Sequence, residues 1–290
     1  MYADSLPSKP PSPIAPGKVK VEGAAQVRFV LNGTKTVLRD LYQRDPVRLL
    51  FPDNPPGELT IGVLTTTSGG LVGGDKINID VVADPDTQAM IMAQAAEKIY
   101  RSTGADCLID ISIQAGDGAW FEWLPQETIL HQGARMRRQT RLALNGAARV
   151  LAGEFLVFGR HAMGEKMTEG LVRDAWQVSI DGRAVWADAF HMEGELDKRI
   201  DHPAGLGGAI GLANAVYAGA DAAGQLDWVR ELLNSQANVR SAATLVNGVL
   251  LVRWLGKDVF SLRKAFAEVW MAFRHRVGGQ PQKLSRLWHM

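Results

Sequence analysis

Residues 171–191 read LVRDAWQVSIDGRAVWADAFH. Two runs rich in valine, alanine and aromatic residues stand on either side of Asp181-Gly182. This dipeptide suits a two-residue hairpin turn, because both of its residues tolerate a positive φ angle. β-branched and aromatic residues are enriched in strands. The stretch therefore predicts a β-hairpin with strands at residues 171–180 and 183–191.

Short runs of the same kind extend from Lys18 to about Gly256. Each run ends at Gly, Pro, Asn or Asp, which is typical of a body built from strands. Further strands are predicted at residues 25–31, 36–43, 58–66, 76–83, 89–95, 107–114, 119–123, 139–144, 148–156, 242–246 and 249–254. Together with Asp181-Gly182, at least five hairpins are predicted, with turns at Asn32-Gly33, Asp117-Gly118, Asn145-Gly146 and Asn247-Gly248.

Two segments near the C-terminus have a helical period instead. Apolar residues recur at helical spacing in residues 226–236 and 258–276, and the second segment begins at Asp258 as a candidate N-cap. Core contacts explain both apolar faces more simply than partner binding does. Because no internal linker and no repeat of about 20 to 50 residues is found, residues 18–290 are expected to form a single domain.

The composition excludes several classes of protein. The 32 Lys+Arg nearly balance the 31 Asp+Glu, so the chain lacks the overall field that gathers nucleic acid or an anionic membrane. One Cys excludes an internal disulfide framework and a cysteine metal cage. No run approaches the roughly 20 apolar residues that cross a bilayer. Residues 1–17 contain five prolines and no apolar core, which predicts a disordered leader, not a signal peptide, and a cytoplasmic chain.

A loop of glycine and hydroxyl residues, TTTSGGLVGGD, spans residues 65–75. Its glycines let the backbone approach a ligand or another backbone closely, and Asp75 adds a carboxylate. Gly69 and Gly74 have the separation of a phosphate-binding loop, but Asp75-Lys76 replaces the required Lys-Ser/Thr pair and no helix follows. A functional acidic loop, a plain turn and a nucleotide site remain open, in decreasing order of preference.

Two other segments offer a carboxylate together with an imidazole. Glu127 and His131 follow an aromatic run at residues 120–123 and fall on one face of an extended segment. His161 and Glu165 stand four residues apart in a turn bounded by glycines. Either pair would suit acid–base or metal chemistry. A tryptophan-rich core edge and an ordinary turn remain the simpler explanations.

Basic residues are concentrated in two places. Arg135, Arg137, Arg138 and Arg141 have no aromatic residues between them, so a solvated face is favoured over a nucleic-acid surface. Residues 251–290 also carry more basic than acidic side chains, which suits contact with an acidic protein partner.

Several motifs together resemble one family, the urease accessory protein UreD, also called UreH. The motifs are SGGLVGGD at residues 68–75, KIYRS at 98–102, WLPQETI at 123–129, GRHAMGE at 159–165, DHPAGLGG at 201–208, NGVLLVR at 247–253 and RLW at 286–288. They occur in order, at family-like spacing, over about residues 18–290. The first motif contains the loop residues Ser68, Gly69, Gly70, Gly73 and Gly74.

The resemblance implies a mostly β fold, a distorted β-helix-like stack of strands with two α-helices near the C-terminus. It implies a scaffold without catalysis of its own, required for nickel insertion into the urease apoprotein. The implied partners are UreF, the GTPase UreG through UreF, and the urease apoprotein, in a dimeric heteromeric complex. Neither nucleic acid nor a membrane is an implied partner, and GTP would be bound by UreG and not by this chain.

By similarity to the family, the fold is expected to contain a water-filled passage for Ni²⁺ in transit. The matching acidic positions are Asp75, Glu154, Glu165 and Asp188. Glu97 departs from the family, which commonly has Thr or Ser at this position, and is expected to add another acid to the path. No tightly bound cofactor and no stable metal site are expected. Carboxylates and water release nickel more readily than a cage of Cys and His, which suits an ion that has to move on.

The C-terminal helices and the basic region around Arg274 and Arg276 are expected to face UreF. Two rival functions remain open. A carboxylate-based hydrolase or lyase on a β-stack would use Asp75, Glu127 or Glu165 as acid and base. A nucleotide-binding module would use the glycine loop. Turnover by the isolated chain would favour the first rival, and measurable binding of GTP or ATP would favour the second.

Overall fold

The computed structural model describes residues 21–53 and 57–289, so the leader expected at residues 1–17 lies outside the described residues. In chain order the strands are β1 (Glu22–Asn32), β2 (Lys35–Arg44), β3 (Val47–Leu50), β4 (Thr60–Thr66), β5 (Lys76–Ala83), β6 (Gln88–Ala93), β7 (Glu97–Ile99), β8 (Cys107–Ala115), β9 (Trp120–Leu124), β10 (Thr128–Leu130), β11 (Arg135–Leu144), β12 (Arg149–Phe158), β13 (Glu169–Ile180), β14 (Arg183–Glu195), β15 (Gly211–Ala218), β16 (Val239–Val246) and β17 (Val249–Gly256). The α-helices are α1 (Asp197–Asp201), α2 (Leu226–Asn234) and α3 (Val259–Arg276), and short 3₁₀ helices lie at His161–Met163, Ala222–Gln225 and Arg286–His289.

The strands form two stacked sheets. The first sheet has the order β14-β13-β11-β8-β5-β1-β2, and the second has the order β16-β17-β15-β12-β9-β6-β4-β3 with β10 beside β12 and β7 beside β10. From β4 to β13 the chain passes repeatedly between the sheets, and the strands it adds to each sheet pair in parallel. The expected mostly β, β-helix-like stack with helices near the C-terminus is therefore confirmed.

The space between the sheets is filled by alternate residues of the strands. In β5, Ile77, Ile79 and Val81 are buried between the sheets, whereas Lys76 and Asp80 are exposed on the outer face of the first sheet. Successive side chains of a strand point to opposite faces, so this alternation gives the first sheet one apolar and one polar face. Burial of the apolar face stabilises the stack.

The central strands of the second sheet, such as β9 and β12, are buried on both faces, because α2 and α3 cover the side that faces away from the first sheet. Phe155 of β12 packs there against Phe266 of α3, with ring centroids 6.2 Å apart. The helix begins where the sequence predicts it, since the Asp258 side chain accepts a hydrogen bond of 2.7 Å from the Ser261 backbone N–H. That bond satisfies one of the free N–H groups at the helix start.

Three of the five predicted hairpins are present, and two are wrong. The turns at Gly33, Asp181-Gly182 and Asn247-Gly248 join the antiparallel pairs β1–β2, β13–β14 and β16–β17. The turns at Asp117-Gly118 and Asn145-Gly146 instead carry the chain from the first sheet to the second. A turn dipeptide fixes a reversal of the local backbone but not the sheet in which the next strand pairs.

Short or alanine-rich elements were not predicted from the sequence. These are β3, β7, β10, β15 and α1. Among the residues that the structure describes, no helix has the length and apolar character needed to span a bilayer.

Candidate functional site

A cavity of about 230 Å³ lies between the two sheets beside the glycine loop. Gly69, Gly70, Thr66, Glu97 and Lys98 line one side of it, and the Arg138 and Glu154 side chains reach it from β11 and β12. Its other walls are mainly apolar, with residues such as Leu64, Ile77, Ile109, Ile111 and Trp123. An apolar cavity with a few converging polar groups is the usual form of a binding site for a small ligand.

Glu97 is the carboxylate on the loop side of this cavity. Its Oε2 accepts a hydrogen bond of 2.5 Å from the Thr66 hydroxyl, and its Oε1 accepts one of 3.0 Å from the Lys98 backbone N–H. Burial raises the pKa of Glu97, and these two donors partly offset the effect. A cation entering the cavity would find an oxygen-rich edge here.

Arg138 and Glu154 belong to a cluster of charged groups buried between the sheets. The Arg138 guanidinium lies 2.8 Å from a Glu154 oxygen and 3.0 Å from an Asp174 oxygen, and it donates a 3.1 Å bond to the Thr128 hydroxyl. The side chains of Arg138, Glu154 and Asp174 are 5%, 2% and 1% exposed. Since one guanidinium meets two carboxylates, the cluster carries a formal charge of −1 when both acids are ionised.

The burial of this cluster changes the pKa of Glu154. Burial raises its pKa to about 8, against the opposing attraction of Arg138, and the nearby Asp174 charge adds to the rise. Glu154 also accepts a bond of 2.9 Å from the Phe155 backbone N–H. Burial therefore favours the protonated form of Glu154 over a wider pH range than is usual for a carboxyl group.

Three of the acidic residues expected in the passage lie elsewhere. Asp75 is buried under the glycine loop, where it accepts a bond of 2.9 Å from the Val72 backbone N–H. Glu165 is bound by Arg160 and by the Gln132 backbone N–H, and Arg160 holds the pKa of Glu165 below its ordinary value. Asp188 pairs with Arg253 at a separate small cavity. Of the five expected residues, Glu97 and Glu154 line the same cavity.

The carboxylate and imidazole pairs noted in the sequence are separated by other contacts. Glu127 pairs with Arg263 of α3 at 2.6 Å, whereas the His131 ring packs edge-on against Tyr100. His161 contacts the Phe158 carbonyl at 2.8 Å. Within residues 21–53 and 57–289, no three His, Cys, Asp or Glu side chains are grouped so as to hold a metal ion. Asp75, Glu127 and Glu165 each have a different partner and do not form one acid–base centre.

The glycine loop packs tightly against the segment that follows β7. A Cβ atom on Gly73 would lie 2.0 Å from the Ser102 hydroxyl oxygen and 2.2 Å from the Ala105 carbonyl oxygen. Such distances are far below van der Waals contact, so only glycine fits without a shift of the backbone. The loop borders the cavity through Gly69 and Gly70, and this packing holds it in place.

Replacing Gly73 with alanine is expected to lower the free energy of unfolding by about 2 kcal/mol, as is typical of overpacking. Gly224 is a matched control, because no atom lies within 4 Å of the position that its Cβ would take. Gly224→Ala is expected to leave stability within about 0.5 kcal/mol of the original chain. Urea unfolding of both variants measures the difference, and equal stabilities would contradict the close packing of the loop.

Comparison with known proteins agrees with the resemblance of the sequence motifs. Residues 21–289 match the family described as UreD urease accessory protein. A urease accessory protein UreD of Magnetococcus marinus is 46% identical over 272 residues, which cover 92% of this chain and 94% of the relative. The chain belongs to the UreD family. Two further UreD relatives, from Azorhizobium caulinodans and a Methylobacterium species, are each 36% identical and cover 94% and 97% of this chain and 98% and 99% of their own.

Three of the motifs by which this chain resembles UreD proteins contribute to the cavity. Gly69 and Gly70 come from the glycine loop, Lys98 begins the KIYRS motif, and Gln126 and Thr128 come from WLPQETI. Gln126 also connects the cavity to the C-terminal RLW motif, because its side-chain amide donates a 3.0 Å bond to the Trp288 carbonyl. Motifs far apart in the sequence thus meet around one space.

The basic residues of this UreD chain have different environments. Arg135, Arg137 and Arg141 lie on the outer face of the first sheet beside acidic residues, as expected of a solvated face. Arg138 is a correction, because it points inward. Arg274, expected to face a partner, is buried against Glu122, whereas Arg276 is exposed and stacks over the Trp228 ring at 4.8 Å. The predicted partner contact therefore now depends on Arg276.

Proposed function

We propose that this UreD chain is a non-catalytic scaffold for nickel insertion into the urease apoprotein and that the cavity between its sheets is part of the path of the ion. The observation that carries the proposal is the pair of carboxylates, Glu97 and Glu154, that line one apolar-walled cavity. In this proposal Ni²⁺ is the cargo of the cytoplasmic accessory complex. UreF binds this chain, and UreG binds UreF and supplies the GTP site.

The donor atoms of the cavity suit a path more than a resting place. Thr66, Thr128 and Gln126 add hydroxyl and amide oxygens to the two carboxylates. Oxygen ligands bind Ni²⁺ less tightly than nitrogen and sulfur ligands do. Cys107, the only cysteine, does not compete, because burial raises its pKa to about 12 and keeps it a thiol. An ion is conducted when its sites are favourable enough to enter and weak enough to leave.

The test is the nickel content of urease in cells that express the urease subunits and the other accessory proteins, with and without this chain. Nickel per urease active site is expected to fall to background without the chain. With Glu97→Lys, we expect a loss of roughly tenfold or more, because a cation in the cavity repels the cargo. The matched control is Glu169→Lys, since Glu169 pairs with Arg101 outside the cavity.

Co-purification with UreF checks that each variant still assembles. Equal nickel loading with and without the chain would contradict the scaffold role. Normal loading with Glu97→Lys, in an intact complex, would contradict the assignment of this cavity to the path of the ion. Turnover of a substrate by the purified chain would contradict the non-catalytic role.

A further inference from the structure

The buried cluster of Arg138, Glu154 and Asp174 lies between two cavities. Arg138 and Glu154 line the large cavity, which contains Glu97. On the other side is a cavity of about 10 Å³, lined by Asn214, Trp176 and Asp188 among others. Asn214 is the in-register neighbour of Glu154 on β15, and Trp176 contacts Asp174 at 3.4 Å. The cluster thus lines the large cavity and adjoins residues of the small one, where Asp188 pairs with Arg253.

Some buried polar atoms in and next to this cluster have no hydrogen-bond partner. Arg138 Nη2, the Thr140 hydroxyl and Asn214 Oδ1 are buried without a hydrogen-bond partner among the residues that the structure describes. Thr140 is fully buried and stands two residues from Arg138 on the same face of β11. Buried polar atoms normally have a partner, so such a group of free atoms points to a ligand or solvent. Two of these three atoms are oxygens, which can coordinate a cation.

We propose that the Arg138 guanidinium occupies a latent cation site between Glu154 and Asp174, and that a divalent cation moves through the cluster by exchange with this guanidinium. The inference rests on the proposed function, because it assigns the step at which cargo passes from the large cavity to the small one. Thr128 is already a hydrogen-bond acceptor of the guanidinium and becomes a ligand once the guanidinium moves.

Charge explains why a guanidinium suits this position. Two carboxylates buried without a cation would repel each other strongly, and the fold would be destabilised while empty. Arg138 supplies one positive charge for two acids, so an incoming cation meets one carboxyl group that the guanidinium does not neutralise. A divalent ion that replaces the guanidinium, and any proton held by the two acids, would leave both carboxylates neutralised, and the guanidinium would return once the ion had left. Arg138 is therefore a positioning residue that prevents the ion from resting in the cluster.

The first experiment measures retention of Ni²⁺ alone by the purified full-length chain in equilibrium dialysis. Arg138→Gln removes the positive charge and leaves both carboxylates, so we expect it to retain about one Ni²⁺ per chain, roughly a hundredfold more tightly than the original chain does. Arg138→Gln/Glu154→Gln is the matched control, because it lacks one carboxylate, and its retention is expected to return to the original level. A folded Arg138→Gln variant that binds no more nickel than the original chain overturns the proposal.

If Arg138→Gln does not fold, a second variant tests the proposed exchange of a cation with Arg138. Asp174→Asn leaves Arg138 paired with Glu154, so the cluster has no net charge and should fold. We expect urease nickel content to fall several-fold with Asp174→Asn, because a displacing ion would meet one carboxylate instead of two. Asp106→Asn is the control, since Asp106 pairs with Arg135 and Arg137 on the outer face.

The outcomes separate this inference from the proposed function. If urease loading requires the chain but Asp174→Asn has no effect, the exchange with Arg138 is wrong while the scaffold role stands. If loading does not require the chain at all, the proposed function fails. Nickel retention by Arg138→Gln then still decides whether the cluster is a cation site.

Discussion

Replacing Arg274 with leucine is expected to reduce the free energy of unfolding by about 3 to 5 kcal/mol, because it leaves a buried carboxylate without its cation. The carboxylate is that of Glu122, which is fully buried in the core beneath α3 and lies 3.1 Å from Arg274 Nε. Trp120 and Trp270 also donate indole N–H bonds to Glu122, at 3.0 and 2.8 Å. These neutral donors do not replace the lost charge.

Arg276→Leu is the matched control, because Arg276 lies two residues further along α3 and is exposed. Its stacking over Trp228 is expected to contribute no more than about 1 kcal/mol. Adding Glu122→Gln to Arg274→Leu should restore part of the stability, since the unpaired charge is then gone. Urea unfolding of the four chains measures the effects. Equal losses for Arg274→Leu and Arg276→Leu would contradict the buried ion pair.

The sequence predicts those strands and helices that are marked by a pattern of neighbouring residues. The alternation in β5 and the Asp258 cap of α3 are such signals, and both were predicted. The course of the chain between two sheets has no local signal. Asp117-Gly118 and Asp181-Gly182 look alike in the sequence, yet the first turns a corner of the stack and the second closes a hairpin. Which strand pairs with which is decided by burial of whole faces.

The short strand β10 shows a second limit. Its three residues, Thr128–Leu130, pair in parallel with β12 on one side and β7 on the other, and this pairing places Thr128 beside Arg138. Three residues are too few for a periodic signal. The sequence signal that was available is the position of Arg138, which falls among the alternate residues of β11 that point inward.

For the site, the resemblance to UreD proteins supplied candidate acids, and the structure shows the surroundings of each. Glu97 and Glu154 share a cavity although 57 positions separate their numbers, because β7 and β12 lie on either side of β10 in the second sheet. Asp75 belongs to the glycine loop and supports its backbone. A contact of this kind has the same sequence signature as a role in binding, namely an acid beside glycines. Contacts between distant segments distinguish the two.

The pH dependence of stability provides an independent test of the cluster around Glu154. Burial raises the pKa of Glu154 to about 8 in the folded chain, from an ordinary value of 4.5. Between these two pH values the folded chain binds more protons than the unfolded chain, so stability falls as the pH rises. The contribution of Glu154 is fully present below pH 4.5 and is lost as the pH passes through about 8. Glu165 has the opposite sign, because Arg160 lowers its pKa, and its contribution is lost on acidification.

Glu154→Gln is therefore expected to remove most of the loss of stability that the original chain shows between about pH 5 and about pH 8, a loss of about 3 kcal/mol. Glutamine resembles the protonated carboxyl group, and Arg138 then keeps one ionised partner, Asp174. Urea unfolding at several pH values measures the slope. Glu165→Gln should leave the slope in this range unchanged. If the original chain and Glu154→Gln lose the same stability as the pH rises over this range, Glu154 does not carry the proton. The charge of the cluster is then balanced by a group other than Glu154.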